Sequence, residues 1–241
     1  MKPENANSEP LPTSQIIKEY YDELAKDYDQ NRFDNTYGQY IHQQEERILD
    51  KVLEPLTQDS TLDLATGTGR FLHRAQTGVD ISPEMIGVAQ KKFPNADLHV
   101  ASGTDLPFED QRFSQVLSFH LFMHLDEETM DNILKEVHRI TKPGGLFVFD
   151  VPSEKRRKLV GYQSNNWHGG YQLKIADLKK RVQGLWTVKE FHGIAFFPLH
   201  RIPKSLRPMM TRLDSTLGSS PLGEYSSHLV CVLQRDVSNI E

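Results

Sequence analysis

With a single cysteine, Cys231, among 241 residues, the chain has no internal disulfide to staple it. Cys231 sits in an apolar run that reads as a buried strand, so no redox role is expected of it and a reducing, cytoplasmic setting fits. No run of roughly 18 apolar residues occurs, which leaves no candidate for a spanning helix. Residues 1–13 are polar and proline-containing rather than charged and then apolar, and read as a loose tail before one domain over 14–241. A basic excess is missing too: 28 Lys and Arg stand against 33 Asp and Glu, a formal charge of −5. That balance offers nucleic acid and anionic lipid no global attraction, and Lys155-Arg156-Arg157-Lys158 reads as solvated surface. No cysteine cluster exists, and no helically spaced histidine pair comes with a third carboxylate, so no metal is expected.

What is present is an alternation. Ile16, Ile17, Tyr20, Tyr21, Leu24 and Tyr28 recur at helical steps, as do Ile41, Ile48, Leu49, Val52 and Leu53, which puts two helices before the first strand. Strand Thr61–Leu64 follows, then a glycine turn at Gly67 and Gly69 with a short helical piece from Phe71, and a brief strand ending at Asp80. Ser82-Pro83-Glu84 opens a helix with a capping serine, a proline at its first position and an acid in its first turn. Strands 98–100 and 114–119 come next, then a helix with the stripe Met130, Ile133, Leu134, Val137 and Ile140, ended by Pro143-Gly144-Gly145. The apolar strand 146–151 has the composition of a parallel strand covered on both faces. Beyond it lie a helix near 171–182, a strand 186–196, an irregular stretch 200–221 and a last strand 228–234. The expected class is a doubly wound α/β domain with a mostly parallel, seven-stranded, Rossmann-like sheet. Its last strand is antiparallel, and its ligands bind beyond the carboxyl ends of the strands.

The central motif is Asp63-Leu64-Ala65-Thr66-Gly67-Thr68-Gly69, between a strand and a helical piece, where the chain turns tightly and a ligand lies against bare backbone. A dinucleotide fingerprint starting at Gly67 would want glycine or alanine where Leu72 stands, and no phosphate-cradling loop is present. Asp80, at the end of the next strand, is placed to accept two hydrogen bonds from a ribose diol.

With Tyr21-Asp22-Glu23-Leu24-Ala25, Val79 to Met85, Leu106-Pro107-Phe108, Leu121 to Leu125 and Lys142 to Gly145 added in order, residues 20–152 resemble the class I S-adenosylmethionine-dependent methyltransferases. The likeness is to the group that includes the ubiquinone and menaquinone biosynthesis enzymes. The resemblance implies methyl transfer from S-adenosylmethionine, leaving S-adenosylhomocysteine, to an O, N or C atom of a small-molecule acceptor. It places Asp63, Ala65, Gly67 and Gly69 at the methionyl end, and Asp80 with Ile81 at the ribose. Ser102, Gly103 and Thr104 fall at the adenine, and the backbone of Phe119 at the amino group. Tyr21, Tyr28, Arg32 and His124 close the site, with the N-terminal helices over it. Ala65 and Ser102 replace the family's usual glycine and aspartate, and Ala65 fits a backbone of ordinary negative φ.

The rival readings are a cofactor-fold protein that binds without turnover and an NAD-dependent oxidoreductase. His120 is the candidate general base, and His192 and His200 are candidate walls of the acceptor pocket. The stretch 200–221, with Ile202, Leu206, Met209, Met210 and Leu213 among basic residues, reads as a lid with an apolar underside. Nothing in the pattern sets an oligomeric state.

Overall fold

The computed structural model describes residues 13–53, 60–162, 170–199, 202–203 and 205–237. Three helices precede the sheet: α1 (Thr13–Leu24), α2 (Tyr28–Phe33) and α3 (Thr36–Val52). Tyr28 thus opens a helix of its own rather than continuing the stripe of the first. Asn35 caps α3 by accepting from the amides of Tyr37 and Gly38.

The strands are β1 (Thr61–Leu64), β2 (Thr77–Asp80), β3 (Asp97–Val100), β4 (Phe113–Ser118), β5 (Thr141–Pro152), β6 (Trp186–Ile194) and β7 (His228–Arg235). They form one seven-stranded sheet in the order β3-β2-β1-β4-β5-β7-β6. β7 runs antiparallel to both neighbours, and the other pairs are parallel. The chain order reverses between β1 and β4, which opens a crevice at their carboxyl ends.

Between β1 and β2 the chain makes successive turns, Leu72 N–H to Gly69 O and Arg74 N–H to Phe71 O, and no regular helix forms there. The remaining helices are α4 (Pro83–Lys92), α5 (Glu127–Ile140), α6 (Glu154–Leu159), α7 (Ile175–Arg181) and α8 (Arg207–Gly218). The stripe of α5 is buried as its spacing requires, and Ser82 and Asp126 cap α4 and α5 through Met85 N–H and Thr129 N–H. Pro143 to Gly145 lie inside β5 rather than ending α5, which closes at Ile140. One apolar cluster joins α5 to one face of the sheet and a second joins α3 to the other, so both faces are covered. Among the described residues no helix is long and apolar enough to cross a membrane.

The stretch 200–221 contains a regular helix, α8, and its polarity is the reverse of the expected one. Asp214 is buried, accepting from the Tyr40 hydroxyl at 2.7 Å and the Phe197 amide at 2.8 Å, and Ser215 donates to Gln44 at 2.9 Å. Leu206, Met209 and Leu213 face outward instead. The buried acceptors decide the orientation, because an unpaired buried carboxylate costs more than an exposed leucine.

Candidate active site

The turn after β1 is pinned by its neighbour strand. Thr66 N–H donates to Val79 O at 2.9 Å, and Gly67 N–H donates to Asp80 Oδ2 at 2.8 Å. The other carboxylate oxygen of Asp80 accepts from Ser82 N–H at 2.9 Å. Ser82, not Asp80, is the cap of α4, so the Asp80 carboxylate stands at the strand end with lone pairs to spare. Burial pushes its pKa up to about 6, against the two amides that hold it down.

Ala65 takes φ +58°, the left-handed region in which a side chain is strained, contrary to the negative φ expected from its alanine. Pinning by the β2 end dictates that angle. Ala65→Gly is therefore expected to stabilise the fold by up to about 1 kcal/mol, the left-handed penalty less the entropy cost of glycine. Urea unfolding measures it, and a destabilised variant would show that the turn accepts alanine without strain.

A cavity of about 110 Å³ opens beside this turn. Its lining brings together Tyr21, Tyr28, Ala65, Gly67, Asp80, Ile81, Ser102, Gly103, Thr104, Phe119, His120 and His124, all expected from sequence. A Cβ added at Gly67 meets no atom within 4 Å, so that face of the turn is open to a ligand. A smaller cavity on the far side of the turn shares Tyr28, Ala65, Gly67, Phe119 and His120 and adds Asp63, Arg70 and Phe71.

Three expected residues stand apart from the larger cavity. Asp63 is buried behind the turn, accepts from Thr66 Oγ1 at 2.6 Å, and is pushed by burial up to about 7. Gly69, at φ +88°, lines neither cavity; a Cβ there would press on Leu72 and Phe93, so it serves packing. Arg32 is exposed at the end of α2 and hydrogen-bonds Tyr28. Ser102 lines the cavity with its hydroxyl engaged by Thr104 Oγ1 at 2.8 Å. His192 lines neither cavity; it is buried on the edge strand β6, 2.9 Å from Glu190, because β7 separates that strand from β5. His200 lies outside the described residues.

The N-terminal helices are latched over the cavity by polar contacts. Tyr21 and His124 Nε2 share a hydrogen bond of 2.8 Å, Ser82 Oγ donates to Asp22 at 2.5 Å, and Asp29 accepts from Thr68 Oγ1 at 2.5 Å and Lys92 at 2.6 Å. Burial raises the Tyr21 hydroxyl far above the usual tyrosine range and raises that of Tyr28 too, which keeps both as neutral donors.

A second cluster, unforeseen from sequence apart from His120, adjoins both cavities. Glu45 of α3 is almost fully buried, with Arg70 Nη1 2.5 Å from one oxygen and His120 Nε2 3.0 Å from the other. The Arg70 guanidinium also lies over the rings of Phe33 and Phe71, at 4.6 and 4.2 Å. Burial alone would raise Glu45, but Arg70 and His120 hold it well below the usual carboxylate range. Asp150 of β5 accepts from His120 N–H at 2.5 Å and lies 3.4 Å from His228 Nδ1. Two signals could have found these residues: Ile41, Glu45 and Leu49 share one helical stripe, and Asp150 interrupts an otherwise apolar strand.

Residues 62–149, from β1 through most of β5, match the methyltransferase domain family. Over these residues the chain is similar to the S-adenosylmethionine-dependent methyltransferases. The chain is 34% identical over 157 residues to the demethylmenaquinone methyltransferase of Chlorobaculum parvum, covering 60% of this chain and 63% of that one. It is 38% identical over 138 residues to protein MJ1252 of Methanocaldococcus jannaschii, covering 56% and 51%. The chain thus spans between half and two thirds of the length of these curated relatives. Among solved structures, the magnesium protoporphyrin IX methyltransferase of Synechocystis with bound S-adenosylmethionine superposes with TM-score 0.64 at 13% identity, over 95% of this chain and all of that one. The [4+2]-cyclase SpnF superposes with TM-score 0.65 at 16% identity, over 96% and 100%. One neighbour is thus a cyclase, so the shared fold by itself carries no reaction.

Proposed function

We propose that residues 14–241 form one methyltransferase unit that moves a methyl group from S-adenosylmethionine to a small, apolar-bodied acceptor. The observation that carries this reading is the meeting, in one covered cavity, of the Asp80 carboxylate with the open face of Gly67 at the carboxyl ends of β2 and β1. Asp80 would take the ribose hydroxyls, the backbone of Ala65 and Phe119 the amino-acid end, and Ile81 with Ser102 and Gly103 the adenine. S-adenosylmethionine supplies an already activated methyl group, so the chain's work is mainly positioning in a space without water. Tyr21, Tyr28 and His124 exclude solvent from above through their shared contacts.

A thermal-shift comparison tests the reading, since a ligand at about 100 times its Kd adds about 2.7 kcal/mol of stability. Stabilisation by S-adenosylhomocysteine and none by NAD is the expected result; the reverse would make the protein an oxidoreductase. A screen of small molecules with labelled methyl donor then identifies the acceptor, and binding without any transfer would make it a cofactor-fold binder.

A further inference from the structure

The cluster of Glu45, His120, Asp150 and His228 holds more buried negative charge than its neighbours neutralise. The Glu45 and Asp150 side chains are 1% and 2% exposed. Arg70 lies 2.5 Å from one oxygen of Glu45, and the His120 amide donates to Asp150 Oδ1 at 2.5 Å. Each carboxylate thus has one oxygen engaged, which leaves Glu45 Oε1 and Asp150 Oδ2 beside the two imidazoles. With both rings neutral, two carboxylates stand against one guanidinium away from water, which is costly unless a further cation joins them.

The imidazoles approach these oxygens without bonding them. His120 Nε2 is 3.0 Å from Glu45 Oε1 and His228 Nδ1 is 3.4 Å from Asp150 Oδ2, yet both nitrogens are buried and neither has a hydrogen-bond partner. The distances suit hydrogen bonds and the directions do not, so the atoms lie side by side. Ligands of one metal ion stand in that relation: with bonds of about 2.0–2.2 Å, neighbouring donor atoms sit about 3.0–3.5 Å apart. One ligand atom each from Glu45, His120 and Asp150 already fall within 4.8 Å of one another. A protonated Nε2 of His120 or Nδ1 of His228 would instead aim its N–H at the carboxylate beside it.

The surroundings are those of a metal site as well. Ligating carboxylates are themselves held by hydrogen bonds, as Glu45 is by Arg70 and Asp150 by the His120 amide. That amide bond also holds His120 at φ +62°, a strained backbone that fixes where the ring points. The four residues come from α3, the turn after β4, β5 and the first position of β7. Segments so far apart in the chain show no ligand spacing, which is why the sequence pattern gives no sign of the site.

We propose that Glu45, His120, Asp150 and His228 bind a divalent transition-metal ion of the zinc type. Imidazole nitrogen mixed with carboxylate oxygen suits such an ion better than magnesium or calcium, which take oxygen alone. The ion acts as a clasp that fastens α3, one of the helices before the sheet, to the strand ends on which the two cavities open.

The probe is zinc added to the full chain after EDTA treatment and dialysis. Calorimetry should give one ion per chain, and the melting temperature should rise with zinc concentration. Cobalt(II) in place of zinc should give the visible absorption bands of a nitrogen and oxygen ligand set, which reads ligation on the wild type without any substitution. His228→Gln and Asp150→Asn should each weaken zinc binding more than about tenfold, since losing even an outer partner of a ligand costs that much. His73→Gln, which removes a half-exposed histidine outside the cluster, should bind as the wild type does. No bound zinc, or zinc held equally well by folded His228→Gln and Asp150→Asn, overturns the proposal and leaves His120 as an imidazolium between two carboxylates. None of these readouts involves S-adenosylmethionine, so a negative result leaves the methyl-transfer reading standing.

Discussion

Asp80→Ala should weaken S-adenosylhomocysteine binding by about 1.5–3 kcal/mol, roughly 10- to 150-fold, the usual worth of hydrogen bonds to a charged group. The carboxylate would accept from the ribose only when ionised, and burial has raised its pKa to about 6. The sign of the pH dependence follows. The ligand selects the ionised form, so affinity is full well above pH 6 and falls as pH drops through that value, by about tenfold at pH 5. In Asp80→Asn the dependence should vanish along with most of the affinity. Calorimetry between pH 5 and 8 on both proteins decides this, and a wild-type Kd that stays flat across the range would show that the ribose is held elsewhere. Because Asp80 also accepts from the Gly67 and Ser82 amides, unfolding measurements on each variant separate a lost ligand contact from a loosened turn.

Arg70→Ala is expected to cost about 3–5 kcal/mol of stability, the penalty for leaving a buried carboxylate without its cation. Glu45 is 1% exposed at its side chain and Arg70 12%, so solvent screens the pair little. His120 remains beside Glu45 after the change, which places the loss toward the lower end. Arg70→Lys should recover only part, since an ammonium loses the stacking on Phe33 and Phe71. Arg70→Met together with Glu45→Leu should recover most of the stability, because an apolar pair of similar volume has no charge to desolvate. Urea unfolding checks all three, and a loss below about 1 kcal/mol for Arg70→Ala would mean the pair behaves like an exposed one.

Much of the frame was legible in the residues because it depends on local periodicity. The α5 stripe, the capping serine of α4 and the apolar run of β5 are each readable within a window of a few turns. The same holds for the glycine turn and for Asp80, whose roles depend on following a strand. Where the local pattern was misread, a distant partner had intervened. α8 turns its polar side inward because Tyr40 and Phe197 supply donors to Asp214, and those residues lie far along the chain. His192 looked like a pocket residue by its neighbours in sequence, yet the strand order sets β6 at the sheet edge.

The sequence by itself determined the alternation of strands and helices and the order of the motifs, since each follows from spacing along one segment; the residues expected at the cofactor came from the family resemblance that those motifs carry. Tertiary structure alone decided the left-handed backbone at Ala65 and His120, because those angles are imposed by the Asp80 and Asp150 ends of the crossing. It also decided that Glu45 meets His120, which requires α3 to lie across the end of β4. The physical reason is that burial and periodicity act between near neighbours in the chain, whereas a charge is stabilised or stranded by whatever the packing brings beside it.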